Sequence, residues 1–392
     1  MSKINDYIEE NIAPQFEKGG KYEKYWSLFD CFHTFLFVPR TTAPKRGVQV
    51  HDGVDSKRVI SMVILSLMPA LFFGLWNLGY QHDLALGIDD GWFMQFLYGL
   101  VCFIPKVVVS YVVGLGIEFT AAAYKREEVA EGFLASGLLI PMIVPVNTPL
   151  WMIAVATAFS VIFAKEIWGG TGMNIFNPAL ITRAFLFFAY PKAMSGDQVF
   201  VRTGCPLADH PIEGTQVIDG FSGATPLAAV ADGTFDPNTF STLDAFIGTI
   251  PGSIAETSTL AILIGAVILL ATRVASWRIM LSVFAGGAAM SAIICAFSEN
   301  APTVAQQLCL GGFAFAAVFM ATDPVTGCRT NTGKYIYGLV IGVMAIIIRM
   351  FNTGYPEGAM MAVLLGNAVA PLIDYYVVQS NINKRAKRAL NK

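Results

Sequence analysis

Several groups of residues in this sequence have types and spacings that could do chemistry, and none is a conventional acid–base set. The heptad Asp219-Gly220-Phe221-Ser222-Gly223-Ala224-Thr225 places a hydroxyl after glycine and alanine. The Thr225 oxygen is therefore expected to be exposed, unhindered and open to esterification, although the string alone also reads as an ordinary Ser/Gly turn. A second group, Gly169-Gly170-Thr171-Gly172-Met173-Asn174-Ile175-Phe176-Asn177-Pro178, combines glycines that let backbone approach a ligand with amides that both donate and accept. Asn174 and Asn177, three apart, would share a helix face. They would serve equally as helix caps, the reading their residues favour when taken alone.

Gly114, Gly116 and Glu118 lie near the end of a long apolar run. An ionisable group costs about 2.5–3.5 kcal/mol there, so it is expected to face a cavity or a partner. Lys106, Arg183, Glu256, Asp323, Arg349 and Asp374 are further ionisable residues at such depth. Carboxylate oxygens suit hard cations, which makes Glu118, Asp323 and Asp374 candidates for a cation path, the sodium path if the cation is Na+. Asp323 would equally cap the turn before Pro324, and Asp374 would equally be hydrated near the headgroups. No catalytic residue is assigned.

Other chemistries are disfavoured. The six cysteines (Cys31, Cys102, Cys205, Cys295, Cys309, Cys328) are far apart, without the ligand spacing of a zinc or iron–sulfur site. The four histidines (His33, His51, His82, His210) fall outside the long apolar runs, where a membrane haem would need its axial ligands. GxGxxG-like strings have no surrounding βαβ unit. A formal net charge of -2 gives no reason to expect nucleic acid.

The elements that must position these groups are helices in lipid. The 392 residues are 55% hydrophobic and 14% charged, against roughly 25% charged in a soluble domain. Apolar runs near the ~20 residues that cross a bilayer begin close to Val59, Phe93, Phe133, Leu150, Ile175, Leu260, Ile279, Val304, Tyr335 and Ala359. The expected fold is an all-α polytopic membrane protein of about ten transmembrane helices. The fifth run is short, contains Pro178 and Arg183, and reads as well as a half-helix buried against protein.

Five runs on each side of a long polar segment permit two inverted five-helix repeats. NIFNPALI and NTGYPEGAMMA, each an Asn/Pro/small-residue turn into a helix, support the repeat. The expected division is a cytoplasmic arm 1–56, a first membrane half 57–190, an extracytoplasmic segment 191–255 bearing the heptad, a second membrane half 256–379 and a basic cytoplasmic tail 380–392. The arm lacks a signal-peptide pattern.

Orientation follows from lysine and arginine in the loops. Lys57, Arg58, Lys125, Arg126, Lys165, Arg273, Arg278, Arg329, Lys334 and the tail mark one face. QHDLALGIDDG, PVNTP, SENAPT and NTGYPEG, without either residue, mark the other. Both termini are expected in the cytoplasm and Thr225 outside it.

The heptad matches, at every specified position, the D-G-x-S-G-A-T pattern recognised by flavin transferases. With it, GGTGMNIFNPALITRAFLFFAYP, DAFIGTIPGSIAETSTLA, GGFAFAAVFMATDPVTG and YPEGAMMAVLLGNAVAPLIDYYVV resemble successive signatures of the B-subunit family of sodium-translocating NADH:quinone oxidoreductases. The resemblance covers nearly the whole chain. The polar arm favours this family over its paralogue in the Rnf complex, the D-type component.

The resemblance implies an inner-membrane subunit that works with five others in NADH:ubiquinone reduction coupled to Na+ export. It implies FMN in phosphoester linkage to Thr225, left by a flavin transferase that recognises Asp219, Ser222, Gly223 and Ala224. It further implies non-covalent riboflavin against Asn174 and Asn177, and a ubiquinone region at Gly114 and Glu118, where Leu115 replaces the family's second adjacent glycine. In this reading the covalent FMN receives an electron on the outer side and riboflavin passes it toward quinone; the cofactors supply the redox chemistry and the protein positions them. The rivals are an Rnf-type subunit, passing electrons between NADH and ferredoxin, and a flavin-free ten-helix transporter or channel.

Overall fold

The computed structural model describes residues 2–16, 19–26, 29–30, 33, 37, 46–47, 56–125, 129, 132–194, 200–204, 223–235, 241–297, 301–352, 354 and 357–390. Among these residues the chain is helical, with no β-strand. The first half of the chain contains α1 (Ser56–Leu86), α2 (Trp92–Lys125), α3 (Phe133–Met142), α4 (Leu150–Ser160) and α5 (Pro178–Ala189). The intervening segment supplies α6 (Pro226–Ala231) and α7 (Thr242–Ile247). The second half contains α8 (Thr259–Ala271), α9 (Trp277–Phe297), α10 (Val304–Cys309), α11 (Phe313–Phe315), α12 (Asn331–Phe351) and α13 (Ala359–Leu390). A π turn, Val161–Lys165, prolongs α4, and another, Ala316–Met320, prolongs α11.

Among the described residues six helices are long and apolar enough to cross a membrane, where the sequence predicts about ten. They are α1, α2, α4 with its extension to Trp168, α9, α12 and α13. Three of the other predicted runs form short helices, α3 with 10 residues, α5 with 12 and α8 with 13. The fourth is split into α10 and α11.

Local chemistry accounts for most of these interruptions. Proline has no N–H to give a helix, and Pro141, Pro145 and Pro149 fall within nine residues at the end of α3. Pro178 begins α5 at the position where a missing N–H costs nothing. Between α10 and α11 Leu310 is extended, and Gly311 takes a left-handed φ of 60°, a conformation that glycine adopts without strain.

At 1.5 Å per residue, α3 and α5 cover about 15–18 Å, near half of a ~30 Å hydrocarbon core. Backbone groups freed at such breaks must find partners inside the protein. The carbonyl of Met142 accepts from Ala255 N at 3.2 Å and that of Ile143 from Ser253 Oγ at 3.3 Å.

Small residues let the helices approach closely. A Cβ on Gly265 of α8 would strike the Ser66 carbonyl of α1, and one on Gly338 or Gly342 of α12 would strike α9 at Ser282 or Val283. Such contacts hold helices where lipid offers no hydrophobic drive to associate.

Candidate functional site

Thr225 is the N-cap of α6. Its Oγ1 accepts a hydrogen bond from Ala228 N at 3.2 Å, and Pro226 occupies the first helical position. The residue is 9% exposed, more buried than the heptad suggests. The cause lies two residues on: Leu227 packs into a small apolar cluster with Ala245, Ile250 and Leu310, which draws the start of α6 down. Leu227 lies so close over Gly311 that a Cβ there would collide with it. The helix that Thr225 caps is thus seated on the break between α10 and α11. Gly223 and Ala224 precede Thr225 outside any regular element, whereas Asp219 and Ser222 lie outside the described residues.

Beneath that break are buried charges. Arg183 of α5, 1% exposed, is ion-paired with both Glu256 and Glu357. Arg349 of α12, 2% exposed, donates to the carbonyls of Gln307 and Leu310 and lies 5.9 Å from the Phe313 ring centre. Gly312 gives the Glu256 carboxylate room, since a Cβ there would lie 2.9 Å from its Oε1.

Asn174 and Asn177 are buried in the turn before α5. Asn177 Oδ1 caps that helix by accepting from Ala179 N at 2.9 Å, and its Nδ2 donates to Asp323 Oδ2 at 3.1 Å. Asn174 Oδ1 accepts from Gly172 N at 3.3 Å while its Nδ2 donates to Phe176 O at 3.1 Å. Each amide retains one further N–H and one further lone pair for a ligand. Positive φ angles at Gly169, Gly170 and Gly172 shape the turn, and a Cβ on Gly170 or Gly172 would meet nothing.

Glu118 is 4% exposed and ion-paired with Lys165, which is equally buried and ends the π turn after α4. The sequence counts Lys165 among the loop charges; the structure places it inside, because the π turn carries it toward α2. Gly114, one turn before Glu118, faces the Phe133 ring so closely that a Cβ would run into it. Lys165 Nζ lies 5.8 Å from the centre of that ring.

Asp323 accepts from Val325 N at 3.0 Å, as a residue capping this turn should, and also holds Asn177. Asp374 accepts from Arg329 N at 2.7 Å and Thr330 Oγ1 at 2.6 Å, tying α13 to the start of α12. The three acids of the predicted path therefore have separate partners. Among the described residues no group of three or more His, Cys, Asp or Glu side chains could hold a metal ion.

Sequence reasoning missed the pairing roles of Lys165 and Glu357 and the cover that Phe133 gives Gly114. No local signal marks them.

This arrangement defines a polytopic helical membrane protein with interrupted helices, in which the buried Glu118, Arg183 and Glu256 are met by opposite charges and Lys106 and Arg349 by backbone carbonyls. The NQR2, RnfD, RnfE family matches residues 44–383, and the chain belongs to that family. It is 42% identical over 414 residues to the B subunit of the Na(+)-translocating NADH-quinone reductase from Ectopseudomonas mendocina (strain ymp), with 98% of each chain covered. The protein of the same name from Chromohalobacter salexigens is 42% identical over 407 residues, covering 97% of this chain and 95% of its own. That from Azotobacter vinelandii (strain DJ / ATCC BAA-1303) is 41% identical over 414 residues, again with 98% of each chain covered.

Proposed function

We propose that this chain is the membrane-embedded B-type subunit of a sodium-translocating NADH–quinone reductase and carries FMN esterified to Thr225. The observation that carries the reading is full-length likeness, 42% identity over 98% of both chains, to a protein of that name. The heptad ending at Thr225 adds the attachment chemistry. Relatives named as subunits of the sodium-translocating enzyme favour it over an Rnf-type complex or a flavin-free transporter.

The residues fit the group. Thr225 Oγ1 uses one lone pair to accept from Ala228 N, and an ester oxygen can keep accepting after its proton has been replaced. Gly223 and Ala224 offer no bulk against an incoming phosphate. Riboflavin is assigned to the turn of Asn174 and Asn177, through the amide capacity left after their local bonds. Met173, Ile167 and Trp168 are 69%, 62% and 48% exposed beside this turn, apolar surface suited to a planar ligand or a neighbouring subunit.

Ubiquinone is assigned to the Gly114 and Glu118 end of α2, where Phe133 is the side chain it must displace or stack upon. Glu118, Asp323 and Asp374 remain the proposed acids of the sodium path. Flavins bound at these sites would supply one-electron transfer; the chain's own part is to bind them, orient them and keep water from the buried charges.

The ten-pass topology with inverted halves is also proposed. Each half runs in the order of two helices, a broken helix, a helix and a final helix entered from an Asn- or Gly-containing turn. Cytoplasmic termini, an extracytoplasmic Thr225, five partner subunits, a flavin transferase and the bacterial inner membrane belong to the same reading.

Thr225→Val tests the proposal, being nearly isosteric and lacking only the hydroxyl. The complex is expected to assemble and to oxidise NADH with artificial acceptors. The denatured chain should lose flavin fluorescence, and quinone reduction should collapse. A Thr225→Val chain that remains fluorescent after denaturation places the flavin elsewhere.

A further inference from the structure

We propose that Lys106 is a tethered cation whose ammonium fills a monovalent-cation site at the broken end of α3. Lys106 lies in the middle of α2, is 2% exposed, and points its Nζ at the main-chain carbonyls of Pro145, at 2.6 Å, and Val146. Those carbonyls follow the last turn of α3, where the helix dipole leaves partial negative charge. The segment from Pro141 to Pro149 contains three prolines, so it offers more acceptors than N–H donors at a depth where water cannot make up the difference.

The two carbonyl oxygens that meet the ammonium suit a small hard cation. Thr148 Oγ1, on the residue two beyond Val146, and Ser110 Oγ are buried without hydrogen-bond partners. Ser110, fully buried, is one turn beyond Lys106 on the same face of α2. Unwound carbonyls at the C-terminal ends of half-helices are the places where interrupted-helix transporters coordinate Na+. In this chain the first such place is filled by a covalently attached ammonium, which cannot leave. The first half therefore contributes a fixed positive charge, and its broken helix is closed to a mobile ion.

Removing the amine should reopen the site to free cations. The test compares Lys106→Ala, which leaves room and takes the ammonium from both carbonyls, with Lys106→Met, which removes the charge but fills the space. Each is purified as the intact membrane complex, and thermal unfolding is followed in sodium chloride, methylammonium chloride and choline chloride. The parent's own salt response is subtracted.

Lys106→Ala is expected to unfold at lower temperature than the parent in choline and to recover in sodium or methylammonium. Lys106→Met should be destabilised equally in all three salts. Identical salt responses from the two variants overturn the proposal. So does failure of Lys106→Ala to assemble even when cells are grown and membranes solubilised in sodium or methylammonium, because a free cation should then replace the lost one. The outcome is independent of whether Thr225 carries flavin, since the readout is stability.

Discussion

Glu118 and Asp323 are carboxylates beside irregular turns of the membrane bundle, yet their surroundings differ. Glu118 is 4% exposed and already has a cation, Lys165, delivered by the π turn that ends α4. Its second oxygen, Oε2, has no hydrogen-bond partner. Asp323 is partly exposed and is held by the neutral groups Val325 N and Asn177 Nδ2. It has no ion-pair partner among the described residues. A carboxylate with a built-in counter-ion can take a second cation only by giving up the first, whereas one held by amides has its charge still to be matched. The same carboxylate chemistry is thus a closed pair in one place and an open acceptor in the other.

The sharpest break of this comparison is Lys165→Met. Stranding one member of a buried pair costs about 3–5 kcal/mol, so the variant complex should unfold at much lower denaturant or temperature. If pairing is the cause, adding Glu118→Gln should restore most of the loss, because replacing both charges by neutral groups is often nearly neutral. A double variant as unstable as the single one would mean that Lys165 stabilises the fold through something other than Glu118.

Asn177 separates two roles that meet at the second acid. Asn177→Leu removes both the cap on α5 and the bond to Asp323, at a cost of about 0.5–2 kcal/mol. Asn177→Ser keeps a capping oxygen and loses the amide donor, so its stability should stay close to the parent's. Non-covalent riboflavin measured in the purified complex should fall in both variants while covalent flavin is retained. Retention of riboflavin in Asn177→Ser would confine Asn177 to its capping role.

The smallest effect on stability is expected from Asp323→Asn. The amide oxygen can still accept from Val325 N, so the loss should be about 1 kcal/mol. The contrast with Glu118 lies in function: if Asp323 is the open acceptor, quinone reduction by this variant should lose its stimulation by sodium at nearly unchanged stability. Full sodium stimulation would remove Asp323 from the path.

Much of the fold is legible along the chain because the rules involved are local. Composition and run length identify helices in lipid. The Asn-Pro pair at 177 and 178 is a helix start that the structure reproduces, with the amide capping and the proline first. Pro178 and Arg183 leave the fifth run readable as a span or as a half-helix, and α5 is a helix of 12 residues with Arg183 buried. The Thr225 heptad singles out its threonine but misleads about its exposure, because the cover comes from Leu227 packing against Ala245, Ile250 and Leu310, residues distant in sequence.

The sequence by itself determined the helical membrane class, the family and the residues whose chemistry is unusual, since each depends on residue type and spacing over a few turns. Only the tertiary structure decided which apolar runs stop short and which charges neutralise one another. Glu118 meets Lys165 from 47 positions away, and Arg183 meets Glu256 from 73. At membrane depth a charge must find its partner wherever packing brings one, and that choice depends on how the helices cross.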